Sequence, residues 1–185
     1  TILIVDDIRA GFRLDLAGSD HYFGFEADLI CFCKALANGY NISALCGKEF
    51  LKGTVSGVNF TGSYWMSAVP MAAGIACIEK MKRLDLPRIL NEQGKKLGDG
   101  LIEVGKKYNF DLRVTGAPSL FYLRIADDPS MIIHQEWIAE CVKRGVFFAT
   151  HHNHFMNYSV TDEVIAETLA VAEEAFHVVR ERHPL

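Results

Sequence analysis

Three stretches of the sequence carry residues suited to carbonyl and amine chemistry. They are Asp6-Asp7 after the apolar run Thr1–Val5, Lys34 after the run Asp28–Cys33, and Gly62-Ser63 ahead of an Ala- and Met-rich segment. A lysine beside an apolar strand is costly unless its amine reaches solvent or a partner. A desolvated amine with a lowered pKa is a nucleophile for a carbonyl. An Asp on the adjacent strand suits a cation. Pyridoxal 5'-phosphate makes both demands, offering an aldehyde to a lysine and a pyridinium to a carboxylate. Its phosphate takes hydroxyl and N–H donors near a helix N-terminus, which Gly62-Ser63 supplies. Each residue also has a plainer reading: Lys34 as a surface lysine, Asp6 as a turn or cap residue.

These side chains need particular elements to hold them. Thr1–Val5 is an unbroken β-branched and Leu run, which predicts an inner strand buried on both faces of a parallel sheet. Because this run opens the chain, further strands are expected upstream or on another chain. Asp6–Gly24 reads as a loop anchored by Phe12, Leu14 and Leu16; Asp28–Cys33 and Ile42–Cys46 read as further strands. In an open parallel sheet, ligands bind beyond the carboxyl ends of the strands, where Asp6 and Lys34 both fall. Met66, Val69, Ala73, Ala76 and Met81 keep helical spacing from near Ser67, and the Ala- and Met-rich composition predicts burial on several sides. Pro87 suits the first turn of a second helix, whose stripe runs Leu90, Gly94, Leu97, Leu101, Val104 and Tyr108.

A boundary near residue 86 divides the chain into 1–86 and 87–185. In the second part, 112–114 and 120–125 read as strands around Gly116-Ala117-Pro118, and 129–144 as a helix stopped by Gly145. Val146–Ala149 and Phe155–Val160 read as two more strands. Thr161 is the expected N-cap of a last helix whose face is Ile165, Leu169, Ala172, Phe176 and Val179. The fold class is α/β, with a C-terminal α+β domain.

Composition narrows the function. Of 185 residues, half are hydrophobic and 23% charged, which is globular. A net charge of −4 gives no basic excess for nucleic acid or an anionic membrane. No apolar run is long enough to span a bilayer, and Thr1–Asp7 has no signal-peptide character, so a cytoplasmic location is expected. The odd, scattered set Cys31, Cys33, Cys46, Cys77 and Cys141 reads as buried free thiols in a reducing compartment. Cys31-Phe32-Cys33 places two thiols on one strand face, and simple burial outweighs a metal pair there. His151-His152-Asn153-His154 tempts a metal reading, but adjacent side chains diverge and no carboxylate sits at ligand spacing, so no metal is expected. His152 or Asn153 is either a substrate contact or part of a plain loop. Phe60, Tyr64 and Trp65 line a pocket or plug a domain interface, and Arg13 either faces a substrate carboxylate or braces its loop.

Several segments together resemble one family. Ile2-Leu3-Ile4-Val5-Asp6-Asp7-Ile8-Arg9-Ala10-Gly11-Phe12-Arg13 is similar to the strand-Asp-Glu-Val-x-Thr-Gly-Phe-Arg segment of class III (ω-type) aminotransferases. Lys34-Ala35-Leu36-Ala37-Asn38-Gly39-Tyr40 resembles their pyridoxal-lysine segment, in a form nearest the glutamate-1-semialdehyde 2,1-aminomutase branch. Met71-Ala72-Ala73-Gly74, Gly145-Val146-Phe147-Phe148-Ala149 and Thr161-Asp162-Glu163 resemble later segments of the family, in order and at suitable spacing.

The resemblance implies a type I pyridoxal phosphate fold. Residues 1–86 would be the end of the large domain, with its parallel-rich sheet, and 87–185 the small domain. It also implies a homodimer with sites at the subunit interface. Lys34 would bind the cofactor as a Schiff base and later move the proton; Asp6 would pair with the pyridinium nitrogen. Ile8 would take the place of the Val that packs on the ring, and Ser63, with Gly62 beside it, would bind the phosphate of the neighbouring subunit's cofactor.

The pattern also departs from the family. Asp7 stands for Glu, Ala10 for Thr and Ser63 for Thr, and Trp65-Met66-Ser67-Ala68 stands where an Asn-Pro normally follows. The implied reaction is amino-group transfer between an amine or amino acid and a carbonyl compound. The alternatives are an intramolecular 2,1-aminomutase and a non-catalytic fragment that needs an upstream half to complete its site.

Overall fold

The computed structural model describes residues 1–55, 57–59 and 62–184. Two compact units divide the chain, Thr1–Arg88 and Ile89–Leu185.

The first unit is built on a three-stranded sheet of β1 (Ile4–Asp6), β2 (Leu29–Phe32) and β3 (Ala44–Gly47), in that order. A short helix α1 (Ser19–Phe23) lies within the loop after β1, α2 (Lys52–Val55) follows β3, and the long α3 (Ala68–Leu84) closes the unit. β1 and β2 are parallel, with Asp6 opposite Cys31. β3 departs from the expected parallel pattern and runs antiparallel to β2, pairing Phe32 with Ala44. The connection, residues 33–43, holds only a 3-10 turn and no crossover helix of the kind that usually joins parallel neighbours.

The core of this unit is Phe12, Ile30, Phe32, Leu36 and Met81, with Val5, Leu16 and Cys77 packed against it. Phe12 and Leu14 anchor the loop after β1 as expected. Burial of β1 on both faces is not found within this chain. Val5 faces the core, while Ile4 on the opposite face is 60% exposed. Helix α3 likewise buries one side, through Gly74 and Met81, and leaves Val69 (64%) and Ile75 (61%) in solvent.

The second unit runs from α4 (Leu86–Lys107) through the hairpin β4 (Leu112–Ala117) and β5 (Leu120–Ile125) to α5 (Ile132–Lys143) and α6 (Asp162–Arg182). The four-and-three stripe of α4 is buried at Leu90, Leu97, Leu101 and Val104. The helix starts at Leu86, so Pro87 sits in its first turn. Gly94 has no room for a side chain, since a Cβ there would collide with the Pro118 carbonyl. Thr161 caps α6, its hydroxyl accepting from Val164 N–H at 3.4 Å. Ile165, Ala172, Phe176 and Val179 of the expected face are fully buried beside Trp137.

Val146–Ala149 and Phe155–Val160 are not strands. Their backbone groups bond singly rather than in a ladder. His154 N–H donates to Phe121 O, Met156 N–H to Ser119 O, and Ala149 N–H to the ring of His154. All five cysteines are free thiols, but only Cys141 is fully buried. Cys31 and Cys33 alternate with the core residues Ile30 and Phe32 and so lie on the outer face of β2.

Candidate active site

Asp6 and Lys34 both lie toward the carboxyl end of the β1–β2 pair. Asp6 is the last residue of β1, and Lys34 lies two residues beyond the end of the parallel neighbour β2. Both side chains are exposed. This is the carboxyl edge at which open sheets bind ligands.

Local backbone chemistry fixes each one. Asp6 accepts Ile8 N–H at 3.1 Å through Oδ1, an Asx turn that orients its carboxylate as the chain leaves the strand. Asp7 points the other way and is 1% exposed; its Oδ2 accepts Ser19 N–H at 2.9 Å. Two adjacent acids therefore split, one tying the loop down and the other presented at the edge. Gly11 closes the same turn by donating to Asp7 O at 2.9 Å. A Cβ on Gly11 would sit 2.6 Å from the Phe32 ring, so this position of the Gly-Phe-Arg motif tolerates no side chain without movement. Arg13 is half-buried in this loop, and burial lowers its guanidinium pKa.

Lys34 opens a 3-10 turn, Lys34–Leu36, with φ at +41°, in the left-handed region. Leu36 and Ala37 bury themselves behind it, and Asn38 N–H donates back to Lys34 O at 3.0 Å. Helix α3 braces this turn from below. Cys77 Sγ lies 3.4 Å from Ala35 O, and Gly74 packs beside the Leu36 carbonyl. The lysine is thus carried on a rigid turn with its amine outward.

Ile8 is half-buried beside Asp6. Gly62 and Ser63 lie in the exposed approach to α3 and line a pocket of about 470 Å³ with Asn41, Ser43, Tyr64 and Trp65. Tyr64 is 91% exposed and plugs nothing within its unit. Phe60 lies outside the described residues. A Cβ on Gly62 would meet open space among the described residues. Among the described residues no three His, Cys, Asp or Glu side chains converge on a metal position. No helix among them is long and apolar enough to cross a membrane.

The donor set fits pyridoxal phosphate by its chemistry: an outward primary amine and an outward carboxylate at the ends of neighbouring parallel strands. Residues the sequence did not flag include Asp7 as the buried anchor of the loop. The doubled Asp is visible in the sequence, but which of the two turns inward is set by the pleat and by the Ser19 N–H.

Comparison with known proteins gives the chain a family. The family model described as aminotransferase class-III matches residues 1–176, and the chain belongs to that family. It is 37% identical over 178 residues to an aminopentol aminotransferase of Sphingopyxis macrogoltabida, which covers 96% of this chain and 42% of that protein. A glutamate-1-semialdehyde 2,1-aminomutase of Pyrobaculum neutrophilum is 30% identical over 192 residues, covering 95% of this chain and 45% of that protein. The expected nearness to the aminomutase branch is thereby corrected, since the aminotransferase is the more similar of the two. The solved structure of the FumI protein of Sphingopyxis sp. MTA144, in its pyridoxal phosphate internal aldimine form, superposes with a TM-score of 0.95 at 36% identity. It covers all of this chain and 45% of its own. The chain spans less than half the length of these relatives.

Proposed function

We propose that this chain supplies the cofactor lysine and the pyridinium partner of an aminotransferase that moves an amino group between an amine or amino acid and a carbonyl compound. The placement of Lys34 and Asp6 past the carboxyl ends of adjacent parallel strands carries this reading. When bound, pyridoxal phosphate supplies an electron-withdrawing ring that acidifies the C–H beside the substrate nitrogen. Lys34 Nζ anchors the group. With its amine free, the same Nζ would take up the proton at the substrate carbon and return it. Asp6 holds the proton on the ring nitrogen, as an adjacent carboxylate favours the charged pyridinium. Ile8 covers one face of the ring and excludes water from it.

Ser63, through its hydroxyl and N–H, and the Gly62 backbone serve the phosphate of a neighbouring subunit in a homodimer. The exposed apolar side of α3 supports such an interface. Residues 1–86 are then the end of the large cofactor domain and 87–185 the small domain. The similarity to a protein named for aminopentol makes an aminopolyol the first donor to test.

The test is cofactor capture. The chain is mixed with pyridoxal phosphate, its visible absorption recorded, the adduct reduced with borohydride and the lysine mapped by mass spectrometry. Stoichiometric label on Lys34, absent from Lys34→Ala, is the expected result. Label scattered over surface lysines in both proteins would overturn the assignment.

A further inference from the structure

In the second unit, the run between α5 and α6 is held by a bond whose existence depends on one proton. Ala149 N–H donates to Nε2 of His154 at 3.0 Å. Nε2 is therefore an acceptor and carries no hydrogen, which places the ring hydrogen on Nδ1, 3.4 Å from Phe121 O. The His154 backbone is itself fixed, its N–H donating to Phe121 O at 2.7 Å, and Met156 N–H donates to Ser119 O at 3.1 Å. The imidazole stacks on Phe121 at 5.2 Å and meets Phe148 edge-on at 5.5 Å. It thus joins two runs of chain, 146–149 and 154–156. Both runs wall a pocket of about 490 Å³ whose other sides include Leu97, Phe121, His152 and Val164.

We propose that His154 is a proton-operated latch: as the neutral Nδ1–H tautomer it clamps Ala149 to β5 and shapes this pocket, and as the imidazolium it lets residues 146–152 go. The balance is simple. Nε2 takes a proton from water, Nδ1–H keeps its bond to Phe121 O, and Nε2–H then faces Ala149 N–H, two donors with no acceptor between them. The anchored side is 154–156, so the side that moves is 146–152.

The surroundings keep the latch shut at neutral pH. Burial lowers the His154 pKa and the nearby His152 opposes a second positive charge, together outweighing the Phe121 carbonyl, which favours the charged ring. On α5, the buried His134 interacts with His154, and His134 in turn feels Arg124 of β5, Asp128 before α5, and His151. Of these groups Asp128 alone is acidic. It is committed to capping α5, accepting His134 N–H at 2.8 Å and Ser130 Oγ–H at 2.7 Å.

Hydrogen exchange of the full chain, corrected for the intrinsic rate, tests this. The protection of Ala149 N–H is expected to fall as pH is lowered from 7.5 to 5, approaching about tenfold per pH unit, the slope for one linked proton. The α5 and α6 amides, which open with the whole unit, should show the same pH dependence in the wild-type chain and in His154→Gln. His154→Gln offers an amide oxygen to Ala149 N–H and does not titrate, so the Ala149 profile should lose the part of its slope linked to His154. An Ala149 profile as steep in His154→Gln as in the wild-type chain would overturn the latch. Should that variant not fold, the ring nitrogens of the wild-type chain decide: nitrogen shifts at pH 7.5 must show Nδ1 protonated and Nε2 bare, and the opposite tautomer overturns the proposal.

Discussion

Asp6 and Asp7 show how two identical side chains one residue apart take opposite work. Asp7 is buried and holds Ser19 N–H, so Asp7→Ala strands a buried donor and should cost the first unit roughly 1–3 kcal/mol in urea unfolding. Asp6 is exposed, and Asp6→Ala should change stability by about 0.5 kcal/mol or less while weakening cofactor capture at Lys34. Equal losses of stability in the two variants would contradict the split. Lys34 and Asp6 stood out in the sequence because charged residues are unusual directly after apolar strands, and Ser63 because it precedes a long helix. The inward turn of Asp7 did not, because it depends on a backbone N–H 12 residues away. The acceptor role of His154 was hidden for the same reason: a loop histidine shows its partners only after the chain has folded back on β5.

At the scale of elements, the periodic stripes of α4 and α6 predicted most of their buried faces, while Leu169 is half-buried and Tyr108 falls just beyond the end of α4. The missing strands at 146–149 and 155–160 mark the limit of alternation as a signal. Alternating apolar residues can equally line a pocket when no strand offers a ladder. Two substitutions test how the second unit is braced. Gly94→Ala puts a methyl into the Pro118 carbonyl and should cost about 1–3 kcal/mol, the overpacking range, read as a lower midpoint in urea. Arg180 joins α6 to the end of α4: Nε donates to Tyr108 O at 2.8 Å and an Nη to Asn109 O at 2.9 Å, and its guanidinium carbon lies 3.9 Å above the Phe110 ring. Lysine cannot reproduce that fork. Arg180→Lys should therefore destabilise by about 1–3 kcal/mol despite keeping the charge, and a neutral result would remove the brace from the account.

Across the molecule, the second unit has two pH sensitivities of the same sign in different windows. His134 is fully buried, and burial lowers its pKa to about 4. Its folded pKa lies below the unfolded value near 6.5, so the unfolded chain binds the extra proton. Stability is full above pH 6.5 and should fall by roughly 3 kcal/mol as pH drops toward 4. Glu140 behaves differently. Lys143, Arg144 and Arg182 hold its carboxylate near a pKa of about 2, so its contribution persists until pH falls below about 4.5 toward 2. Urea midpoints between pH 7.5 and 4.5 should therefore decline, and His134→Leu should flatten that decline. A slope unchanged in His134→Leu would assign it elsewhere. Composition and periodicity were blind to one further property, the open outer face of the first unit. Ile4 and Val69 read as core yet stand in solvent, because apolar spacing marks a surface without saying what covers it.

The left-handed turn at Lys34 has an evolutionary corollary. A lysine at φ +41° adopts a backbone that glycine or asparagine accepts far more readily, by about 1–2 kcal/mol. Laboratory selection of this chain for thermal resistance alone would therefore enrich Gly or Asn at position 34 early. Under the role proposed for Lys34, a selection scored on amine turnover would forbid that same change, so the two populations would part company first at a single codon.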